Sequence, residues 1–396
     1  MRVYVYVYTI NMKRNNTIGF DAIYAATGDT TLSSYARFII EAMSEACPRR
    51  SYFRMYIPDD DTTPEYDRIA QRDNVESMEP DGALWRKMSW LWRWFRIGHD
   101  LKRGDVDLYH SLTEFVPWGL QRKGIPTIVT VHNLEFLSLQ RQFSPLYNMY
   151  RRAMLLSSLR RADRIVAVSE NIKHDLVTKL HVDRDKIDVI YRGCHARFSE
   201  PLSEEHLRQV EKRYHLPKRY MLFVGTQLQR KNLGAVIEAM PSIDEDIELV
   251  MVGRATTYTQ HIRRRVKSLG LKDRVHMLHG VADADMPALY KLASVYLMPS
   301  LYEGFPPTII EALTIGVPVV ATKCSSMEEA GGPWTMYVDG SRDSWAGAIT
   351  EVLTNEELRE KMIVEGKSYV SRFRPEVIAY NIMNCYKRVG VDISEY

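Results

Sequence analysis

The stretch YEGFPPTIIEALTIGVPVVAT, Tyr302 to Thr322, decides how this chain is read. It runs from a Gly/Pro-rich loop into a helix. Gly316 closes the helix, and VPVVAT reads as a buried strand. Two glutamates stand eight positions apart, Glu303 in the loop and Glu311 in the first turns of the helix. A helix N-terminus carries free N–H groups and a partial positive charge, so it suits a phosphate. A carboxylate just inside that helix accepts hydrogen bonds from sugar hydroxyls, and one in the preceding loop reaches further along the same ligand. Two acids would repel an anion unless cations also reach it. Arg230 and Lys231 offer that pair upstream. The plainer alternative is an ordinary βαβ unit with solvated acids.

Outward from this stretch, short apolar strands alternate with amphipathic helices. TIGFDA, SYFRMYI, VDLYHS, PTIVTVH, RIVAVS and KIDVIY read as strands of a first domain, with helices such as SSYARFIIEAMSEA and SENIKHDLVTKL between them. From Tyr220 a second series follows: YMLFVG, IELVMVG, RVHMLHG, VYLMPS and PVVAT. The alternation predicts an α/β protein with two doubly wound parallel sheets. The polar segment Phe198 to Arg219, with Pro217 near its end, marks the boundary. The expected division is residues 1–205, 206–374 and a terminal segment 375–396 whose first part, PEVIAYNIMNCYKRV, is helical. The opening MRVYVYVYTIN alternates Val and Tyr as a strand does and reads as an edge strand, an extension or a mis-called start, with residues 1–16 set apart as the possible extension.

Ligands of open α/β sheets sit at the carboxyl ends of the strands. Gly225 ends YMLFVG, and Arg230-Lys231-Asn232 then opens a helix, which places two cations where a diphosphate would bind. Gly253 and Gly280 end two further strands. His132 stands just past PTIVTV and His110 ends VDLYHS in the same way. A histidine suits a sugar hydroxyl or a reacting centre at neutral pH, although a lone histidine is as often structural. Gly28 lies in a turn that opens a helix. The D-x-D strings DDD (Asp59 to Asp61), DVD (Asp105 to Asp107), DED (Asp244 to Asp246) and DAD (Asp283 to Asp285) read as solvated loops. No His/Cys cluster has metal-ligand spacing.

The pattern E-G-F-x-x-x-x-x-E followed by G-x-P-V-V, together with the upstream G-x-x-x-x-R-K-N, resembles the retaining family 4 glycosyltransferases of the GT-B fold. The similarity runs from about Thr17 to the C-terminus and includes T-V-H at His132. Within the family it looks most like bacterial enzymes that build capsule, exopolysaccharide or lipopolysaccharide O-chains. The resemblance implies two Rossmann-like domains facing a cleft, with the last helix crossing back to the first domain. It implies a nucleoside diphosphate sugar donor, GDP-mannose or a UDP-hexose, and a saccharide or lipid-linked acceptor. Arg230 and Lys231 would hold the diphosphate, Glu311 the ribose and Glu303 the donor sugar, with His132 reaching that sugar from the first domain. Gly28, His110, Gly225, Gly253, Gly304, Phe305 and Pro306 complete the expected substrate site, with no metal and no cofactor. Three positions depart from the family pattern. Pro306 stands where Gly is common and removes an N–H, Asn133 replaces an Asp, and the first loop lacks its second Gly. Related readings are a nucleotide-sugar 2-epimerase and a non-catalytic homologue that binds nucleotide sugar or membrane.

Composition narrows the classes. At 396 residues the chain exceeds one ordinary core. A net charge of +3 argues against a nucleic-acid binder that relies on many phosphate contacts. The four cysteines lie far apart with no C-x-x-C, which fits reduced thiols in a cytoplasm. No apolar run reaches a membrane span. Leu84 to Arg103, LWRKMSWLWRWFRIGHDLKR, interleaves four Trp with six cations. It reads either as a core-packing helix with a wet basic face or as a peripheral contact with an anionic membrane.

Overall fold

The computed structural model describes residues 16–394, apart from positions 29, 49, 50 and 60. The strand read in MRVYVYVYTIN and the centre of the DDD string lie outside the described residues.

Among the described residues seven strands form the first sheet: β1 (Asn16–Asp21), β2 (Ser51–Tyr56), β3 (Val75–Met78), β4 (Leu108–Ser111), β5 (Thr127–Val131), β6 (Arg164–Ala167) and β7 (Ile187–Val189). Their order is β3-β2-β1-β4-β5-β6-β7. Six form the second: β8 (Tyr220–Val224), β9 (Glu248–Val252), β10 (Val275–Leu278), β11 (Val295–Met298), β12 (Val319–Thr322) and β13 (Met336–Val338). Their order is β10-β9-β8-β11-β12-β13. The pairings are parallel, with Asn16 opposite Ser51 in one sheet and Tyr220 opposite Glu248 in the other. The cause is visible in β5 and β12. Both are short runs rich in β-branched residues and buried along their whole length, as strands covered on both faces must be. In each sheet the chain steps outward and then reverses, between β1 and β4 and again between β8 and β11. Those reversals open crevices at the carboxyl ends of the strands.

The chain divides into two compact units. One runs through Leu112 and takes in Pro117–Ile128 and the residues from Met383 on; the other is Thr113–Val116 with Val129–Ile382. In the second unit, Met221, Phe223, Leu249, Met251 and Leu297 on the strands pack with Ile237, Ile349 and Trp345 on covering helices.

In the first unit His110 is fully buried on β4. Its Nδ1 lies 2.9 Å from the hydroxyl of Tyr386, on the terminal helix Pro375–Lys387. Burial pushes the imidazole down to about 3, so it is neutral at physiological pH. Gly28 ends the short helix Ile23–Thr27, and its carbonyl accepts from Arg37 at 3.2 Å. A Cβ there would stand 2.1 Å from Ser33 Oγ, so a larger residue would make Ser33 turn away and give up its bonds to Thr30.

The Trp-rich segment is a broken helix. Ala83–Lys87 and Ser89–Leu91 lead into a π turn at Trp92–Arg96, then Ile97–Arg103. Trp92, Ile97 and Leu101 are buried. The five-residue step from Trp92 to Ile97 is out of phase for an α-helix. The π turn absorbs the extra residue and puts all three on one side. Arg93 is thereby turned inward onto Asp21, its Nε 2.9 Å from a carboxylate that is 1% exposed. Leu84, Trp90 and Phe95 remain exposed. The buried side is the core-packing helix that the sequence allowed.

The solvated-loop reading of the D-x-D strings needs correction at DAD. Asp285 is buried because it anchors Arg213 at 2.6 Å and the Tyr214 hydroxyl at 2.8 Å.

Candidate active site

The second unit brings together loops that follow β5, β6, β8, β9, β11 and β12, all at carboxyl ends. After β8 the chain turns at Gly225 and passes through Gln229–Lys231 before the helix Leu233–Ala239. Gly225 and Gly253 meet back to back: a Cβ on Gly253 would stand 2.2 Å from the Gly225 carbonyl oxygen. Lys231 lies over Gly225, its Nζ 3.7 Å from where a Cβ would be.

Lys231 Nζ reaches Glu303 Oε1 at 2.7 Å, and Arg230 Nη1 reaches the same oxygen at 2.9 Å. Burial alone would raise the Glu303 carboxyl, but the two cations outweigh it and hold the group below its usual range. The Glu303 loop is fixed on every side. Ser325 Oγ accepts the Glu303 N–H at 3.0 Å, and Ser326 Oγ donates to the Glu303 carbonyl at 3.0 Å. Ser169 Oγ donates to the Gly304 carbonyl at 2.7 Å. A Cβ on Gly304 would fall 1.8 Å from the His132 carbonyl oxygen, so only glycine permits this approach.

His132 is buried and sits in a turn held by a carboxylate the sequence reading had passed over. Glu114 Oε1 accepts the N–H of His132 at 3.2 Å and of Asn133 at 3.1 Å, while Oε2 takes Arg151 at 2.9 Å. Burial raises the Glu114 carboxyl in spite of these partners. A second acid, Glu135, joins the cluster directly: Arg230 Nε donates to its Oε2 at 2.9 Å. Asn133 orients Glu135, donating from Nδ2 at 3.0 Å and accepting the Glu135 N–H at 2.7 Å. Glu114 lies three residues past β4 and Glu135 four past β5, so the strand-end rule covered both. What the sequence lacked was any sign of their long-range partners.

Glu311 shares no hydrogen bond with this cluster. It sits on the helix Pro307–Ile315 and accepts the Tyr290 hydroxyl at 2.8 Å; burial raises its carboxyl. The start of that helix is poor in donors. Neither Pro306 nor Pro307 has an N–H, and the Ile309 N–H turns back to the Pro306 carbonyl at 3.3 Å. Phe305 is core, its ring 5.2 Å from Tyr191 and 5.5 Å from Phe373. Thus Arg230, Lys231 and Glu303 are in direct contact, Gly225, Gly253, Gly304 and His132 shape the surrounding backbone, and Gly28 and His110 belong to the first unit. Among the described residues no group of His, Cys, Asp and Glu side chains gathers as a metal site requires.

Residues 203–369 match the family described as Glycosyl transferases group 1, and residues 39–197 match Glycosyltransferase Family 4. The chain is a family 4 glycosyltransferase of the GT-B fold. Among its relatives is the O-antigen chain mannosyltransferase RfbU of Salmonella typhimurium, 27% identical over 268 residues, 67% of this chain and 69% of the relative. O-antigen chain mannosyltransferase B of Escherichia coli is 25% identical over 286 residues, 71% of this chain and 74% of the relative. Among solved structures, Anabaena HepE in complex with UDP superposes with a TM-score of 0.73 at 16% identity, over 94% of this chain and all of HepE. Sucrose-phosphate synthase from Thermosynechococcus elongatus gives 0.75 at 19%, over 95% of this glycosyltransferase and 99% of the synthase. At those identities the superpositions speak for the fold.

Proposed function

We propose that this glycosyltransferase moves a hexose, mannose first among the candidates, from GDP-mannose or a UDP-hexose to a saccharide or lipid-linked acceptor of a bacterial surface polysaccharide. Transfer proceeds with retention and without a metal ion. The observation that carries the reading is the contact of Arg230 and Lys231 with Glu303 on a loop fixed by Ser169, Ser325 and Ser326. As the glycosidic bond breaks, the departing nucleoside diphosphate gains negative charge, and two preorganised cations stabilise it without reorganisation. Glu303 holds both cations and accepts from donor-sugar hydroxyls, Glu311 accepts from the ribose, and His132 bonds the sugar. The acceptor hydroxyl attacks on the face the diphosphate leaves and gives its proton to the leaving phosphate. The relatives named as O-antigen chain mannosyltransferases support the acceptor class, and HepE's UDP complex supports a nucleotide donor.

A panel of UDP, GDP, ADP, dTDP and CMP in thermal unfolding tests the reading. A ligand at one hundred times its dissociation constant adds about 2.7 kcal/mol. One selective diphosphate names the donor class. Transfer should be lost in Lys231→Ala while the variant still unfolds cooperatively, and full transfer by Lys231→Ala overturns the assignment. Transfer with a chelator present checks metal independence.

We further propose that the enzyme works in the cytoplasm, at a membrane surface. Exposed Leu84, Trp90 and Phe95 beside Arg86, Lys87 and Arg96 suit an anionic interface. Among the described residues no helix is long and apolar enough to cross a membrane. Sedimentation with phosphatidylglycerol vesicles, compared with phosphatidylcholine, tests this.

A further inference from the structure

Arg230 is shared by two carboxylates that differ in how firmly they are held. Nη1 binds Glu303 Oε1 and Nε binds Glu135 Oε2, both at 2.9 Å. With Lys231 on Glu303, two cations face two anions, and the cluster is neutral before any ligand arrives. Ser325 and Ser326 pin the Glu303 backbone, and Lys231 as well as Arg230 holds its carboxylate. Its side chain is 11% exposed. Glu135 is 25% exposed and starts a helix of only four residues, Glu135–Ser138, tethered by Asn133. A diphosphate arriving at Arg230 and Lys231 brings two or more negative charges to the same guanidinium. Its repulsion falls on both acids, and Glu135, the more exposed and bound by one cation where Glu303 is bound by two, has the easier way out into solvent.

We propose that Glu135 is an internal competitor for the donor site: its carboxylate occupies Arg230 in place of a phosphate and is displaced when a nucleoside diphosphate binds. This rests on the diphosphate reading of Arg230 and Lys231 given above. Its consequence is that the site is weaker for every anion than its two cations alone would make it. A single phosphate gains too little to expel Glu135, whereas a diphosphate engages Arg230 and Lys231 together. Asn133 has a defined part in this. Its amide donates to Glu135, which an Asp side chain at that position could not do when ionised.

The test is calorimetric binding of UDP, GDP and inorganic pyrophosphate to the unsubstituted protein and to Glu135→Gln. The amide keeps the shape and removes the charge. Dissociation constants for the bound diphosphate and for pyrophosphate should fall about tenfold. In an Arg230→Ala background, Glu135→Gln should change nothing, because the cation it competes for is gone. Unchanged or weaker binding by Glu135→Gln, while the unsubstituted protein binds one diphosphate, overturns the competitor role and leaves the donor-site reading standing. The same holds if the gain persists without Arg230. Absence of binding to both proteins by all three probes removes the donor-site reading and the inference with it.

Discussion

Removing the Glu114 side chain isolates what a single buried carboxylate contributes to the His132 turn. In Glu114→Ala the N–H groups of His132 and Asn133 lose their shared acceptor, at 3.2 and 3.1 Å. Each buried donor left unpaired costs roughly 1–3 kcal/mol. Arg151 also loses its partner, but it is 40% exposed, so water replaces most of that contact. A water entering the space left by the carboxyl restores part of one bond, which puts the total at about 2–4 kcal/mol. Glu114→Gln keeps Oε1 as an acceptor for both N–H groups. It also removes a charge that burial disfavours, as the raised carboxyl indicates. Its cost should stay within about 1 kcal/mol. For a unit of this size each kcal/mol moves the melting point by roughly 2–4 °C. Differential scanning calorimetry should therefore show the Ala variant about 4–16 °C below the parent and the Gln variant within about 4 °C of it. An Ala variant that melts with the parent refutes the reasoning, and so does a Gln variant as unstable as the Ala one.

Other consequences are as direct. Gly304→Ala forces a methyl into the His132 carbonyl and should cost more than about 3 kcal/mol in urea unfolding. Gly347→Ala, in the helix Arg342–Thr354 with nothing within 4 Å of its Cβ, should instead stabilise by about 0.5–1 kcal/mol. Arg93→Met leaves Asp21 buried without a cation and should destabilise the first unit by about 3–5 kcal/mol, read from the loss of its unfolding midpoint. The acids at 303 and 311 respond to pH with opposite signs. Glu303 has a lowered folded pKa, so its stabilisation is present above the unfolded value near about 4.3 and is lost as pH falls through the folded value. Glu311 has a raised folded pKa, so stability declines as pH rises from the unfolded value through the folded one. Melting curves of Lys231→Met against the parent should converge as pH is lowered through the depressed Glu303 value, since both then carry Glu303 protonated. Curves that stay parallel contradict the Lys231–Glu303 pairing.

Most of the fold was legible because its strands are apolar and its parallel sheets bury both faces. The two strands that carried no signal, VESM at β3 and MYV at β13, are short edge strands. An edge strand has one partner and less to bury, so it needs neither length nor hydrophobicity. The motif residues Arg230, Lys231 and Glu303 announced themselves, since loop chemistry at a strand end is local. Glu114 and Glu135 did not, because what distinguishes them is a partner elsewhere in the chain: Arg151 for one, Arg230 for the other. Phe305 shows the reverse error of emphasis. It lies inside the motif, yet its ring contacts are core packing against Tyr191 and Phe373. The Trp-rich segment resisted a single reading because a wheel drawn at 3.6 residues per turn places Trp92 and Ile97 on different sides.

That π turn has a meaning for sequence change. It is what a helix looks like after absorbing one inserted residue without passing the shift along. Upstream of it, Leu84 and Trp90 face water; downstream, Ile97 and Leu101 are buried in the first unit. Loss of any one residue between Trp92 and Arg96 would let the α-helical ladder close and rotate one half against the other by roughly 100°. Either the exposed aromatics would turn inward or the buried pair would turn out. A one-residue deletion here is therefore a larger change than replacing any single tryptophan: the register of the tract depends on its length more than on its composition.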